Sequence, residues 1–107
     1  MADRSYTLFQ NLEDKLPEIP EKSVVSRTLL DTDEMKATLF GFAAGQEMTE
    51  HTAAYPAVIQ VLSGEAVMAL GEDEHEIGPG AWIHMPARLP HSLMAKDRFV
   101  FLLLLLK

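Results

Sequence analysis

Chemistry in a short chain rests on His, Cys, Asp, Glu, Lys or Ser, and here the informative set is His51, His75, His84 and His91. There is no cysteine, which excludes disulfides, thiolate metal sites and a thiol nucleophile. Neutral imidazole nitrogen ligates Zn, Fe, Mn, Ni and Cu, so two histidines sharing a cavity could hold one divalent transition metal. His51 and His91 lie at strand ends beside turn-forming segments, and in a small barrel such positions sit at the mouths. His75, in Glu74-His75-Glu76 next to a turn, reads as an exposed residue. His84, in Trp82-Ile83-His84-Met85-Pro86, has apolar neighbours on both sides, so alternation does not assign it a face.

These residues must be positioned by short strands. Gly41, Gly45, Pro56, Gly64, Gly71, Gly78-Pro79-Gly80, Pro86 and Pro90 leave no interval long enough for an extended helix. The intervening segments are rich in β-branched, aromatic and large apolar residues. Strands are predicted at 6–9, 24–30, 35–42, 47–52, 57–63, 66–70, 75–77, 81–85, 90–94 and 99–106. Turns around Gly71 and at Ser63-Gly64-Glu65 read as hairpins. Residues 12–16 form the one plausible helical turn. Regular short strands separated by Gly and Pro indicate an all-β sandwich or barrel. Phe99–Leu106 is apolar at every position, so the strand is either covered on both faces by its own chain or covered on one face by a second copy. A homodimer is the expectation.

Length and charge narrow the function. The 107 residues form a single domain, 1–107, with a proline-bearing lead-in at 1–23. Leu, Ile, Val and Phe together exceed the level of about 20% below which disorder is expected. The net charge is −7, with 9 Lys and Arg against 16 Asp and Glu and no basic run. Nucleic acid and anionic membranes are therefore excluded as first partners, because phosphate neutralisation needs clustered cations. The eight apolar residues of 99–106 fall well short of the roughly 20 that a spanning helix requires. The opening residues carry no basic-then-apolar signal pattern, and a cytoplasmic protein is the expectation.

Two stretches carry a family resemblance. Gly45-Gln46-Glu47-Met48-Thr49-Glu50-His51, running on to Val61-Leu62-Ser63-Gly64-Glu65, resembles the first motif of the cupin superfamily. Gly80-Ala81-Trp82-Ile83-His84-Met85-Pro86-Ala87-Arg88-Leu89-Pro90-His91 resembles the second. The resemblance implies a double-stranded β-helix, the RmlC-like jelly-roll barrel, with its motif-bearing core at about residues 45–95. In metal-binding cupins the first motif supplies two His and a Glu and the second motif a His. Carried onto this chain, His51 takes the first ligand position and His91 the last. Ala53 and Ala57 stand where the second His and the Glu would be, Arg88 stands at a usual Gly and Ala95 at a usual Asn.

An ion held by two imidazoles must complete its shell elsewhere. His84, on the strand leading into the second motif, is the expected third ligand. Glu47 shares the strand parity of His51 if the strand is regular, which makes it a further candidate. The alternative is a metal-free cavity in which His51 and His91 bind a small polar or anionic molecule. Tyr55, Trp82, Met48, Met68, Met85 and Met94 would then be adaptable walls. Arg88 could reach a carboxylate at the mouth or be a solvated loop residue. The resulting function classes are a metal-dependent oxygenase or isomerase acting on a small organic molecule, a non-catalytic binding module, and a dimeric scaffold.

Overall fold

The computed structural model describes residues 5–107. Nine strands follow a 3-10 turn at Leu12–Lys15: β1 (Val24–Asp31), β2 (Met35–Phe42), β3 (Glu47–His51), β4 (Ala57–Ser63), β5 (Ala66–Leu70), β6 (Asp73–Ile77), β7 (Trp82–Met85), β8 (His91–Ala95) and β9 (Phe99–Leu106). They form two facing antiparallel sheets, ordered β1-β2-β9-β4-β7 and β3-β8-β5-β6. This is the all-β jelly roll that the motifs imply. No helix among the described residues is long and apolar enough to cross a membrane.

Two local expectations change, and one turn is as expected. Tyr6 and Leu8 belong to no strand and are exposed, because no sheet edge pairs with them. Gly71 closes the β5–β6 hairpin, and its φ of +61° suits a two-residue turn whose first position needs glycine. Ser63-Gly64-Glu65, by contrast, is a crossing between the sheets rather than a hairpin, since β4 and β5 lie in different sheets. Gly64 has φ +80°, and a Cβ there would fall 1.9 Å from the Arg98 carbonyl oxygen.

The core explains why the barrel is solid at one end and hollow at the other. Phe42, Phe99 and Phe101 are fully buried, with ring centroids of Phe42 and Phe101 5.9 Å apart. Against them pack Ala57, Ile59, Met68, Met85 and Leu93 from both sheets. β9 occupies the middle of its sheet, so its backbone is paired with β2 on one side and, over Val100–Leu105, with β4 on the other. Its inner face carries Phe99, Phe101, Leu103 and Leu105, and its outer face Val100, Leu102, Leu104 and Leu106. Part of the lead-in crosses the outer surface near β2. There Leu16 and Ile19 sit so close to Gly41 that an added Cβ would come within 2.6 Å of both. Glu13 accepts a hydrogen bond from the Ser63 hydroxyl at 3.3 Å, and Arg27 donates to the Lys15 carbonyl at 3.1 Å.

Candidate functional site

His51 and His91 are direct cross-strand partners on β3 and β8. Their ring centroids are 4.2 Å apart, with the planes inclined at 59°. Each ring is oriented by the same device. The Nδ1 of His51 lies 2.9 Å from the Thr49 carbonyl oxygen, and the Nδ1 of His91 lies 2.8 Å from that of Leu89. A carbonyl oxygen only accepts, so in both rings Nδ1 carries the hydrogen and donates it. In the neutral rings this leaves both Nε2 lone pairs free, the tautomer and orientation that a metal-ligating histidine requires. His91 is buried at 7% exposure whereas His51 is exposed, so the pair runs from the interior to the mouth.

Beneath the pair lies a cavity of about 90 Å³. Its remaining lining is Phe40, Phe101, Leu103 and Ile59 from one sheet and Met48, Met68 and Leu93 from the other. At roughly 10–15 Å³ per water on this measure, the space holds several waters or one small organic molecule. Larger grooves open to solvent lie elsewhere, one of about 150 Å³ beside Glu65, Gly78 and Lys96. Another, of about 520 Å³, runs over the outside of the four-stranded sheet, and one of about 490 Å³ runs along the seam between β6 and β7.

The remaining sequence candidates lie away from the pair. Glu47 lines the outer groove, not the cavity. The cause is a bulge: Met48 pairs with Leu93 while His51 pairs with His91, so three residues on β3 span what two span on β8. The extra residue reverses the parity on which the Glu47 expectation rested. His84 is exposed and lies on a rung with Val58 and Leu104, facing away from the inward Ile83 and Met85 of its own strand. It cannot serve as the third ligand from there, and it lines the seam groove with His75 and Trp82. Trp82, 62% exposed, is an outer residue rather than a cavity wall. Tyr55 sits exposed in the β3–β4 loop and is not among the lining residues. Of the methionines, Met48 and Met68 line the cavity, Met85 fills the core and Met94 is exposed.

The motif positions that depart from the cupin pattern have local explanations. Arg88 has φ +69°, a backbone conformation that suits glycine, and its N–H donates to the Ala53 carbonyl at 2.8 Å. That bond ties the β7–β8 turn to the β3–β4 loop beside the mouth. Ala57 is buried in the core and offers only a methyl group. Among the described residues no three His, Asp or Glu side chains come together as a metal cluster. The donor set therefore fits a metal in part, with two aligned nitrogens and no carboxylate. The titrations that shift lie on the outer surface. Asp31 is held below the usual carboxylate range chiefly by a hydrogen bond from Lys107, and Glu76 chiefly by one from Lys96.

The cupin domain family model matches residues 38–104, a span that contains both histidines. No curated protein matches the chain. Among solved structures, a cupin superfamily protein from Desulfitobacterium hafniense is 29% identical, with a TM-score of 0.80 over 84% of this chain and 83% of its own. A conserved protein of unknown function from Streptococcus pyogenes is 28% identical, with a TM-score of 0.83 over 99% of this chain and 92% of its own. An RmlC-like cupin from Shewanella frigidimarina, at 17% identity and a TM-score of 0.78 over 99% and 94% of the two chains, shares the fold. With both motif glycines at positive φ, the terminal histidines paired at the barrel mouth and the family match spanning most of the strands, this chain belongs to the cupin domain family.

Proposed function

We propose that this cupin captures a small organic molecule at the mouth of its barrel through a transition-metal ion held by Nε2 of His51 and Nε2 of His91. The observation that carries this reading is the matched pair of Nδ1–H to carbonyl bonds, which fixes both rings with their free nitrogens available. Orienting a ligand in advance removes rotamer entropy from the binding step, and such supporting bonds are typically worth about 10- to 100-fold in metal affinity. The sequence points to a divalent ion of the Zn, Fe, Mn, Ni or Cu group; when bound, it would supply Lewis-acid polarisation of the captured molecule. His91 anchors from the buried side, His51 closes from the solvent side, and the apolar floor of Phe40, Phe101 and Leu103 excludes water. Two protein ligands leave coordination positions open for the molecule itself.

A metal-free binding module is the second reading, favoured by the methyl groups of Ala53 and Ala57 at ligand positions. Elemental analysis of protein purified without chelator separates the two. Near-stoichiometric metal that disappears in His51→Ala supports the first reading. Absence of metal, with no thermal stabilisation by any added ion, leaves the second.

We further infer a cytoplasmic homodimer that pairs through the outer face of the five-stranded sheet. Support comes from the central outward positions Ala37, Leu104 and Val58 and the neighbouring Leu102, Gln60 and Trp82, which are uncharged; His84 ends the first rung, and Arg27, bonded to the Lys15 carbonyl, ends the second. A second copy presents the same uncharged surface, as a two-fold interface requires.

A further inference from the structure

The cavity brings together donors that no family motif includes. Met48 and Met68 flank Leu93 on one rung of the four-stranded sheet, and His51 and His91 form the next. All four side chains line the same space of about 90 Å³, and no charged side chain lines it with them. Met68 is 1% exposed, so its thioether is held inside.

We propose that this cavity is a copper(I) site, with Nε2 of His51 and His91 and the thioether sulfurs of Met48 and Met68 as its donors. The proposal rests on the reading that the histidine pair binds a metal, and it replaces that reading's divalent ion with monovalent copper. Thioether sulfur is a soft donor and imidazole nitrogen a borderline one, both neutral, and the thioethers favour Cu(I) among biological cations. Charge gives an independent reason. The cost of desolvating an ion grows as the square of its charge, so a dication costs about four times as much as a monocation of the same size in an apolar cavity. A site with no carboxylate offers no anion to offset the second charge, which favours the monocation over a dication. A monovalent ion also tolerates few ligands, which suits a chain whose other motif positions are Ala53 and Ala57. The bulge in β3 is what makes the set possible, since it turns Met48 and His51 to the same interior.

The test is an anaerobic titration of the full chain with Cu(I) against a chromophoric Cu(I) chelator, alongside a Zn(II) titration. It uses wild type, His51→Ala and the double variant Met48→Leu/Met68→Leu. Met to Leu conserves volume, so the variant keeps the fold, which circular dichroism checks. X-ray absorption of the wild-type copper complex provides a readout that depends on no variant. The expected result is one Cu(I) per chain with sulfur in its first shell, at least about tenfold weaker in the double Met variant while Zn(II) binding is unchanged. A Cu(I) spectrum without sulfur, or equal Cu(I) affinity in wild type and the Met variant, overturns the copper site while leaving the histidine pair as a metal site. Failure of both Cu(I) and Zn(II) to bind overturns the copper site and the metal reading together.

Discussion

Met48 and His51 face the same cavity although they stand three positions apart on one extended strand. A regular strand would send them to opposite faces, and the bulge opposite Leu93 and His91 restores them to one. The same irregularity removes Glu47 from the interior. Among the described residues lining the cavity, the two imidazoles are the only titratable side chains, and the chemistry of the site follows from that.

Replacing either imidazole should abolish stabilisation by metal. With an ion at about 100 times its dissociation constant, binding raises stability by about 2.7 kcal/mol, on the order of 10 °C in a domain of this size. Differential scanning fluorimetry of His51→Ala and His91→Ala should show no such shift. An undiminished shift in both variants would place the metal elsewhere.

Gly64→Ala should be among the most damaging single substitutions outside the site. The new methyl would meet the Arg98 carbonyl at 1.9 Å while holding a left-handed backbone. A loss of about 3 kcal/mol or more is expected from the clash and the conformation together. Urea unfolding measures it, and a loss below about 1 kcal/mol would show that the β4–β5 crossing can relax.

Arg88 gives the opposite expectation. At φ +69° a side chain costs about 1 kcal/mol, which glycine would recover, less part of its own entropy cost of about 0.5–1 kcal/mol. Arg88→Gly should therefore match or slightly exceed wild type in midpoint, and the β-branched Arg88→Val should fall below it. Equal midpoints for the two variants would count against backbone strain at this position.

Leu104→Asp tests the outer face. Leu104 pairs with Ala37 and Val58 across the five-stranded sheet and is half-buried in the single chain. A buried unpaired carboxylate is unfavourable in an interface. Light scattering should show a dimer for wild type and a monomer for the variant; an unchanged dimer would mean that copies associate through another surface.

The Lys96–Glu76 ion pair sets a small pH dependence. Glu76 is held below its usual range by the hydrogen bond from Lys96, then by charge attraction, so its contribution is complete above the unfolded carboxylate value and fades as pH falls through the folded one. Lys96 is held above its usual range by the same bond, so its share is lost as pH rises past the folded lysine value. The stability difference between wild type and Lys96→Met should be present at pH 7, shrink as pH falls below the ordinary carboxylate range, and weaken in high salt. A difference that persists in acid would point to packing by the lysine stem.

Much of the architecture was written locally. Strands 35–42, 57–63, 66–70 and 99–106 begin and end where glycine, proline and polar turns interrupt apolar runs, because those residues act within a few positions of themselves. The resemblance of the stretches from Gly45 to His51 and from Gly80 to His91 to the two cupin motifs singled out the two histidines that meet. Which face a side chain takes was not local. Trp82-Ile83-His84-Met85 is close to uniformly apolar, and only the core packing of Ile83 and Met85 shows that His84 and Trp82 point outward. Glu47 changed sides because one unpaired residue, visible only through the partner strand β8, reverses alternation. Met48 and Met68 are 20 residues apart in the chain and become neighbours of one small cavity through Leu93, a residue of a third strand. Turn chemistry is a property of consecutive residues, whereas a donor set is a property of register between strands, and register exists only once the sheets have paired.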